Sequence, residues 1–262
     1  MMDIDQTRRD IEAALAAILP PLEGPAANLH AAMRWAVEGG GKRIRPLVCL
    51  AAAEAVGGQP ADARMPACAI ELLHSYTLVH DDLPAMDGDT ERRGRPSVWA
   101  KFGEATAILA GDALQALAFE TLAHTPVCHP DVLSRLLATL GEAAVGVVRG
   151  QAAELADGAA SGVDYVYAHK TADLFVAAAG MGALAGGGTD GQVARLRGFA
   201  RDLGLAFQHE DDLIDGDSPL GREEAERRVR AHTEAARTAL AGLPGDTSFL
   251  LSLAARLAAR TA

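Results

Sequence analysis

Aromatic residues make up only 4% of this 262-residue chain, and β-branched residues are sparse beside an excess of alanine. That balance disfavours strands and favours helices. Cysteine is rare too. Cys49, Cys68 and Cys128 are odd in number and widely spaced, which argues against a disulfide framework or a structural zinc site and fits a reduced, cytoplasmic setting. Positive charge is short, with 24 Lys and Arg against 35 Asp and Glu. With no basic stripe along an expected helix face, no nucleic-acid partner is expected. The polar stretch from Met1 to Asp10 lacks the apolar core of a secretory leader. The longest apolar run, Leu174 to Gly188, is too short and glycine-rich for a membrane span.

What remains is helical periodicity. Apolar positions at helical spacing predict helices near 6–19, 27–38, 46–57, 62–83, 97–124, 130–157, 163–187, 190–214, 221–242 and 246–261, separated by Gly, Pro and Asp turns. No linker divides them and no fixed repeat appears. The expectation is all-α: residues 1–262 as one domain of about ten helices. The stretch Ala105 to Ala118 is apolar on more than one face, as suits a central helix or a subunit interface, and a homodimer would use it.

Two acidic clusters stand at helix ends. Asp81, Asp82, Asp87 and Asp89 follow an apolar helix that Pro84 should stop, leaving Asp81 and Asp82 on its final turn and Asp87 folded back from the loop. Carboxylates there oppose the helix dipole, so a cation is expected nearby. Downstream, Asp211 and Asp215 share a helix face with Asp212 beside them. One Asp-rich loop is most often a solvated turn. Two of them, facing each other across a cavity, would need hard cations, and oxygen-only ligands point to magnesium bridging phosphate oxygens.

Cations of a matching kind accompany them. Gly39-Gly40-Gly41-Lys42-Arg43-Ile44-Arg45 joins two helices; its glycines let the backbone approach an anion, and Lys42 and Arg45 supply charge. No strand precedes it and no Ser or Thr follows Lys42, which speaks against a nucleotide loop. Arg92 and Arg93 come just after the first acidic cluster. His74 sits in a mostly apolar helix, where a hydrogen-bonded core role is the commoner one. Lys170-Thr171 interrupts another apolar helix, and a lysine buried there would call for an anion.

In this order these residues resemble the trans-isoprenyl diphosphate synthases, the polyprenyl synthetase family that includes short-chain farnesyl and geranylgeranyl diphosphate synthases. The segments carrying the likeness are Gly40 to Pro46, Glu71-Leu72-Leu73-His74, Asp81-Asp82 with Asp87, Arg92-Arg93-Gly94, Phe102-Gly103-Glu104, Ala110 to Leu114, Lys170-Thr171, and Gly204 to Gln208 leading into Asp211-Asp212. The resemblance implies the isoprenoid synthase fold, a helical bundle around a central cavity. It implies three magnesium ions on an allylic diphosphate, held by Asp81, Asp82 and Asp87 and by Asp211 with Asp212 and Asp215 in support. Arg92 and Lys170 would add charge there, while Lys42, Arg45, His74 and Arg93 match positions for isopentenyl diphosphate. Thr171 and Gln208 match residues whose oxygens face the allylic cation. Tyr76 and Thr77 lie on the helix before Asp81, and an aromatic at that place resembles a short-product floor. The implied reaction condenses isopentenyl diphosphate with dimethylallyl or geranyl diphosphate to give farnesyl diphosphate, with geranyl diphosphate the nearest competitor.

The match fails after Asp215. Where the family continues with a Gly-Lys pair and a Lys-x-Thr segment, this chain runs Gly216-Asp217-Ser218-Pro219-Leu220-Gly221-Arg222 straight into a helix. About two dozen residues are missing, and Arg222 is the one local cation in their place. Trp99 stands where His is common. Losing a lid weakens the exclusion of water, so a noncatalytic or regulatory synthase-like subunit is an alternative, as is a single-substrate terpene cyclase. Lys42, Arg45 and Arg93 speak for two substrates.

Overall fold

A computed structural model describes residues 2–126, 130–216 and 218–260. Among these, twelve α-helices are joined by short turns: α1 (Ile4–Ile18), α2 (Ala27–Val37), α3 (Ile44–Ala55), α4 (Arg64–Asp81), α5 (Val98–Phe102), α6 (Glu104–Ala123), α7 (Pro130–Ser161), α8 (Val163–Val166), α9 (Asp173–Ala185), α10 (Asp190–Asp215), α11 (Arg222–Leu240) and α12 (Ser248–Arg260). The all-α expectation holds. The excess over ten helices has two local causes. Gly103, at φ 85°, breaks the expected 97–124 run into α5 and α6, and a π-helical turn at Tyr167–Ala172 separates α8 from α9. A hairpin was not expected: β1 (Glu91–Arg92) pairs antiparallel with β2 (Arg95–Pro96). Arg93 and Gly94, at φ 57° and 72°, make the two-residue turn that a tight hairpin requires.

The backbone sorts into two compact units. The first comprises Asp3–Leu47 and Met65–Thr125. Here α1 starts at Asp3, whose carboxylate accepts from Gln6 N at 3.0 Å, and buries Ile11 and Leu15 one turn apart. α4 is buried on nearly every side. Arg43 and Glu71, 4% and 3% exposed, form an ion pair of 2.7 Å between Nη1 and Oε1. On α6, Ala107, Ala110 and Leu114 are buried while Ile108 and Leu109 face outward, as its mixed apolar pattern foretold.

The second unit gathers Val48–Arg64 and Pro126–Ala262. α10 opens on a reciprocal cap between Thr189 and Gln192 and closes on Gly216 in the left-handed conformation. α9 lies so close to α3 that a Cβ on Gly182 would stand 1.9 Å from the Cys49 carbonyl oxygen. Cys49 and Cys68 are buried; Cys128 and Asp217 lie outside the described residues. None of the described helices is long and apolar enough to cross a membrane.

Candidate functional site

In the first unit α4 ends at Asp81, as Pro84 requires. The chain then turns back so that Asp87 N–H donates to the Asp81 carbonyl at 2.9 Å. Asp82 is only 2% exposed. Burial raises its carboxyl pKa, opposed by Arg92, whose Nε and Nη2 stand 2.7 and 2.6 Å from Asp82 Oδ1. Arg92 Nη2 also reaches Asp89 at 3.4 Å. This is the cation that a carboxylate at a helix C-terminus demands, delivered by the hairpin. Trp99 Nε1 donates to the Asp89 carbonyl at 2.8 Å and so fastens the same loop.

Two turns back along α4, at His74, lies a cationic group. Arg45 Nη1 approaches His74 Nε2 at 3.1 Å. Arg93 donates to the Gly40 carbonyl, and Gly41, at φ 136°, has a backbone conformation that any side chain would strain. Burial first, then the positive charge of Arg45, holds His74 well below its ordinary pKa of 6.5. Its ring is therefore neutral, with Nε2 accepting from Arg45. Lys42 is exposed. A small cavity of about 40 Å³ lies among Trp35, Ser75, Asp82, Arg92, Arg93 and Ser97, enough for a few waters. Tyr76 is buried with its ring edge-on to His80 at 5.3 Å, and the Thr77 hydroxyl donates to the His74 carbonyl at 2.8 Å.

A stability prediction follows for His74. Protonating it costs more in the fold than in the unfolded chain, so stability is full above pH 6.5 and is lost as pH falls below it. The urea midpoint is expected to drop between roughly pH 7 and pH 5, and His74→Gln to flatten that drop; an unchanged slope in the variant contradicts the assignment.

In the second unit the π turn faces α10. Thr171 Oγ1 donates to Gln208 Oε1 at 2.7 Å, and Gln208 Nε2 donates to Asp212 Oδ1 at 2.8 Å. The Tyr167 hydroxyl donates to the other Asp212 oxygen. A π turn re-aims side chains that an α-helix would stack, and such turns recur at functional sites. Lys170 is half-buried, its side chain being 27% exposed, and the anion it meets is Glu154 on α7. Arg222 is exposed and pairs with Glu226 on its own helix at 3.0 Å. Asp211 and Asp215 sit on the last two turns of α10, the latter exposed. Among the described residues no three His, Cys, Asp or Glu side chains gather as a metal site by themselves. Neither Tyr167 nor Glu154 is marked by the sequence pattern, and Glu71 is marked only as part of a motif, not as the partner of Arg43.

A family model described as polyprenyl synthetase matches residues 26–222. The chain belongs to the polyprenyl synthetase family. Among its members, the farnesyl diphosphate synthase of Geobacillus stearothermophilus is 39% identical over 97% of this chain and 89% of its own length. The heterodimeric geranylgeranyl pyrophosphate synthase large subunit 1 of Arabidopsis thaliana is 44% identical over 74% of this chain. The chain spans 53 to 60% of the length of that protein and three other Arabidopsis relatives. An apo crystal structure of an FPP/GFPP synthase from Zymomonas mobilis superposes with a TM-score of 0.91 at 37% identity, covering 97% of both chains. A geranylgeranyl pyrophosphate synthetase from Pyrococcus horikoshii gives 0.88 at 28% identity, covering 97% and 96%. The chain has the isoprenoid synthase fold of these members of the family.

Proposed function

We propose that this chain is a short-chain prenyltransferase that joins isopentenyl diphosphate to dimethylallyl or geranyl diphosphate, giving farnesyl diphosphate. The observation that carries this reading lies within the first unit: α4 bears carboxylates with Arg92 at its end, and Arg45, His74 and Arg93 form a separate cationic group. A one-substrate cyclase has no use for the second group. Arg45, a neutral His74, Arg93 and exposed Lys42 take the diphosphate of isopentenyl diphosphate. Arg92 and Lys170 take the allylic diphosphate, Lys170 by leaving Glu154.

Asp81, Asp82 and Asp87, with Asp211 and its neighbours Asp212 and Asp215, would hold three magnesium ions. Their donors are all carboxylate oxygens, which suits a hard ion that takes the rest of its shell from water and phosphate. Magnesium there would neutralise charge developing on the leaving diphosphate. Thr171 and Gln208 turn oxygen toward the resulting cation, and the departing diphosphate accepts the proton lost after coupling. The outward Ile108 and Leu109 of α6 suit a homodimer.

Purified chain with magnesium, isopentenyl diphosphate and either primer is expected to yield a longer allylic diphosphate. Hydrocarbon or alcohol from the primer alone means a cyclase, and no product means a noncatalytic subunit. If Tyr76 is the floor of the product channel, Tyr76→Ala shifts products by at least five carbons on chromatography; an unchanged distribution removes it from that role.

A further inference from the structure

The second unit carries a polarised hydrogen-bond chain that reaches beyond any residue singled out by the sequence. A carboxylate only accepts, so the Gln208 atom facing Asp212 must be its NH2 group. Gln208 Oε1 is then turned to Thr171, whose hydroxyl has to donate to it. The Tyr167 hydroxyl, meeting the second Asp212 oxygen, must donate as well. Every donor points toward Asp212. The lone pairs of Thr171 Oγ1 and the second lone pair of Gln208 Oε1 take no part in these bonds.

The geometry repeats in register. Tyr167 and Thr171 are four apart on the π turn, and Gln208 and Asp212 are four apart on α10, so the two elements are joined by two rungs with Gln208 and Asp212 also linked to each other. Tyr167 is seated independently of its hydroxyl: it is 8% exposed and packs edge-on to His209 with centroids 5.0 Å apart. Its ring secures packing and its hydroxyl secures the carboxylate, and Phe would remove the second alone.

We propose that Tyr167 and Asp212 are a positioning pair for prenyl transfer: the clamped carboxylate locks the Gln208 amide in the one orientation that presents oxygen, from Gln208 and Thr171, to the allylic cation. Asp212 then acts through Gln208 and not chiefly as a ligand of metal. This rests on the proposed transferase reading. Without the Tyr167 hydroxyl the carboxylate is free to swing away from Gln208, and the released amide then samples its flipped state, which presents N–H to a cation.

The test is steady-state kinetics of Tyr167→Phe against the unaltered chain, with both diphosphates and magnesium varied. The expected result is a fall in kcat of roughly tenfold, from misorientation at the reacting centre, with KM for both substrates and the magnesium requirement unchanged. Tyr167→His, which restores a donor beside His209, is expected to recover most of the rate. Unchanged kcat in the Phe variant, or a loss appearing only in KM, overturns the pair. Should the Phe variant fail to fold, Asp212→Asn reports instead: the same loss confined to kcat with an unchanged magnesium requirement is expected, and wild-type kcat or a raised magnesium requirement overturns the pair. The unaltered chain tests the reaction by itself: if it forms no longer product, the transferase reading fails and the pair's role with it, whereas an active chain and an equally active Phe variant remove the pair alone.

Discussion

Replacing Asp81 with Ala is expected to lower kcat for prenyl transfer by roughly a thousandfold. Removing a carboxylate from the group proposed to hold magnesium withdraws charge stabilisation from the leaving diphosphate, an effect of several kcal/mol, and about 4 kcal/mol corresponds to three decades. KM for isopentenyl diphosphate should hardly move, because Arg45 and His74 form their own contact. The loop keeps its shape through the backbone bond from Asp87 N–H to the Asp81 carbonyl, so thermal unfolding should report an intact fold. Asp81→Glu keeps a carboxylate and should retain more activity. A loss below tenfold, or one expressed in KM for isopentenyl diphosphate, contradicts the role given to Asp81.

The second large effect is structural. Glu71→Ala leaves the guanidinium of Arg43 buried without its 2.7 Å partner. Breaking a buried pair on one side costs about 3 to 5 kcal/mol, and the more exposed Glu12, 3.7 Å from Arg43 Nε, offsets the remaining desolvated charge only in part. Arg43 also donates to the Val37 carbonyl at 2.6 Å and holds a left-handed backbone at φ 50° between Lys42 and Ile44. Its displacement should therefore also raise KM for isopentenyl diphosphate. Urea denaturation checks the first effect; a loss under about 1 kcal/mol shows that the pair is not structural. Replacing both members with apolar residues of similar volume is expected to recover much of the stability.

These two residues show what periodicity and motif can reveal. Asp81 was legible because Pro84 fixes where its helix must stop and because a run of carboxylates there makes no sense without cations. Glu71 was read only as part of a motif, since nothing in the chain tells which of three neighbouring cations enters the core. Helix positions were legible wherever apolar spacing persisted. The break at Gly103 was not, because spacing continues through it while the backbone alone changes hand. The hairpin escaped because two-residue strands carry no alternation. The partner of Lys170 was not legible, Glu154 lying 16 residues away on α7, a separation at which sequence gives no register. Tyr167 left no signal either: its meaning comes from the π turn, which shifts it into line with Asp212.

The central claim is that both carboxylate sets grip diphosphate through metal. Manganese located by anomalous scattering, in crystals grown with a slowly reacting thio analogue of the allylic diphosphate, tests it directly. The account predicts ions bound to Asp81 or Asp87 and to Asp211, each also touching a diphosphate oxygen; diphosphate bound with neither carboxylate set on a metal would contradict it.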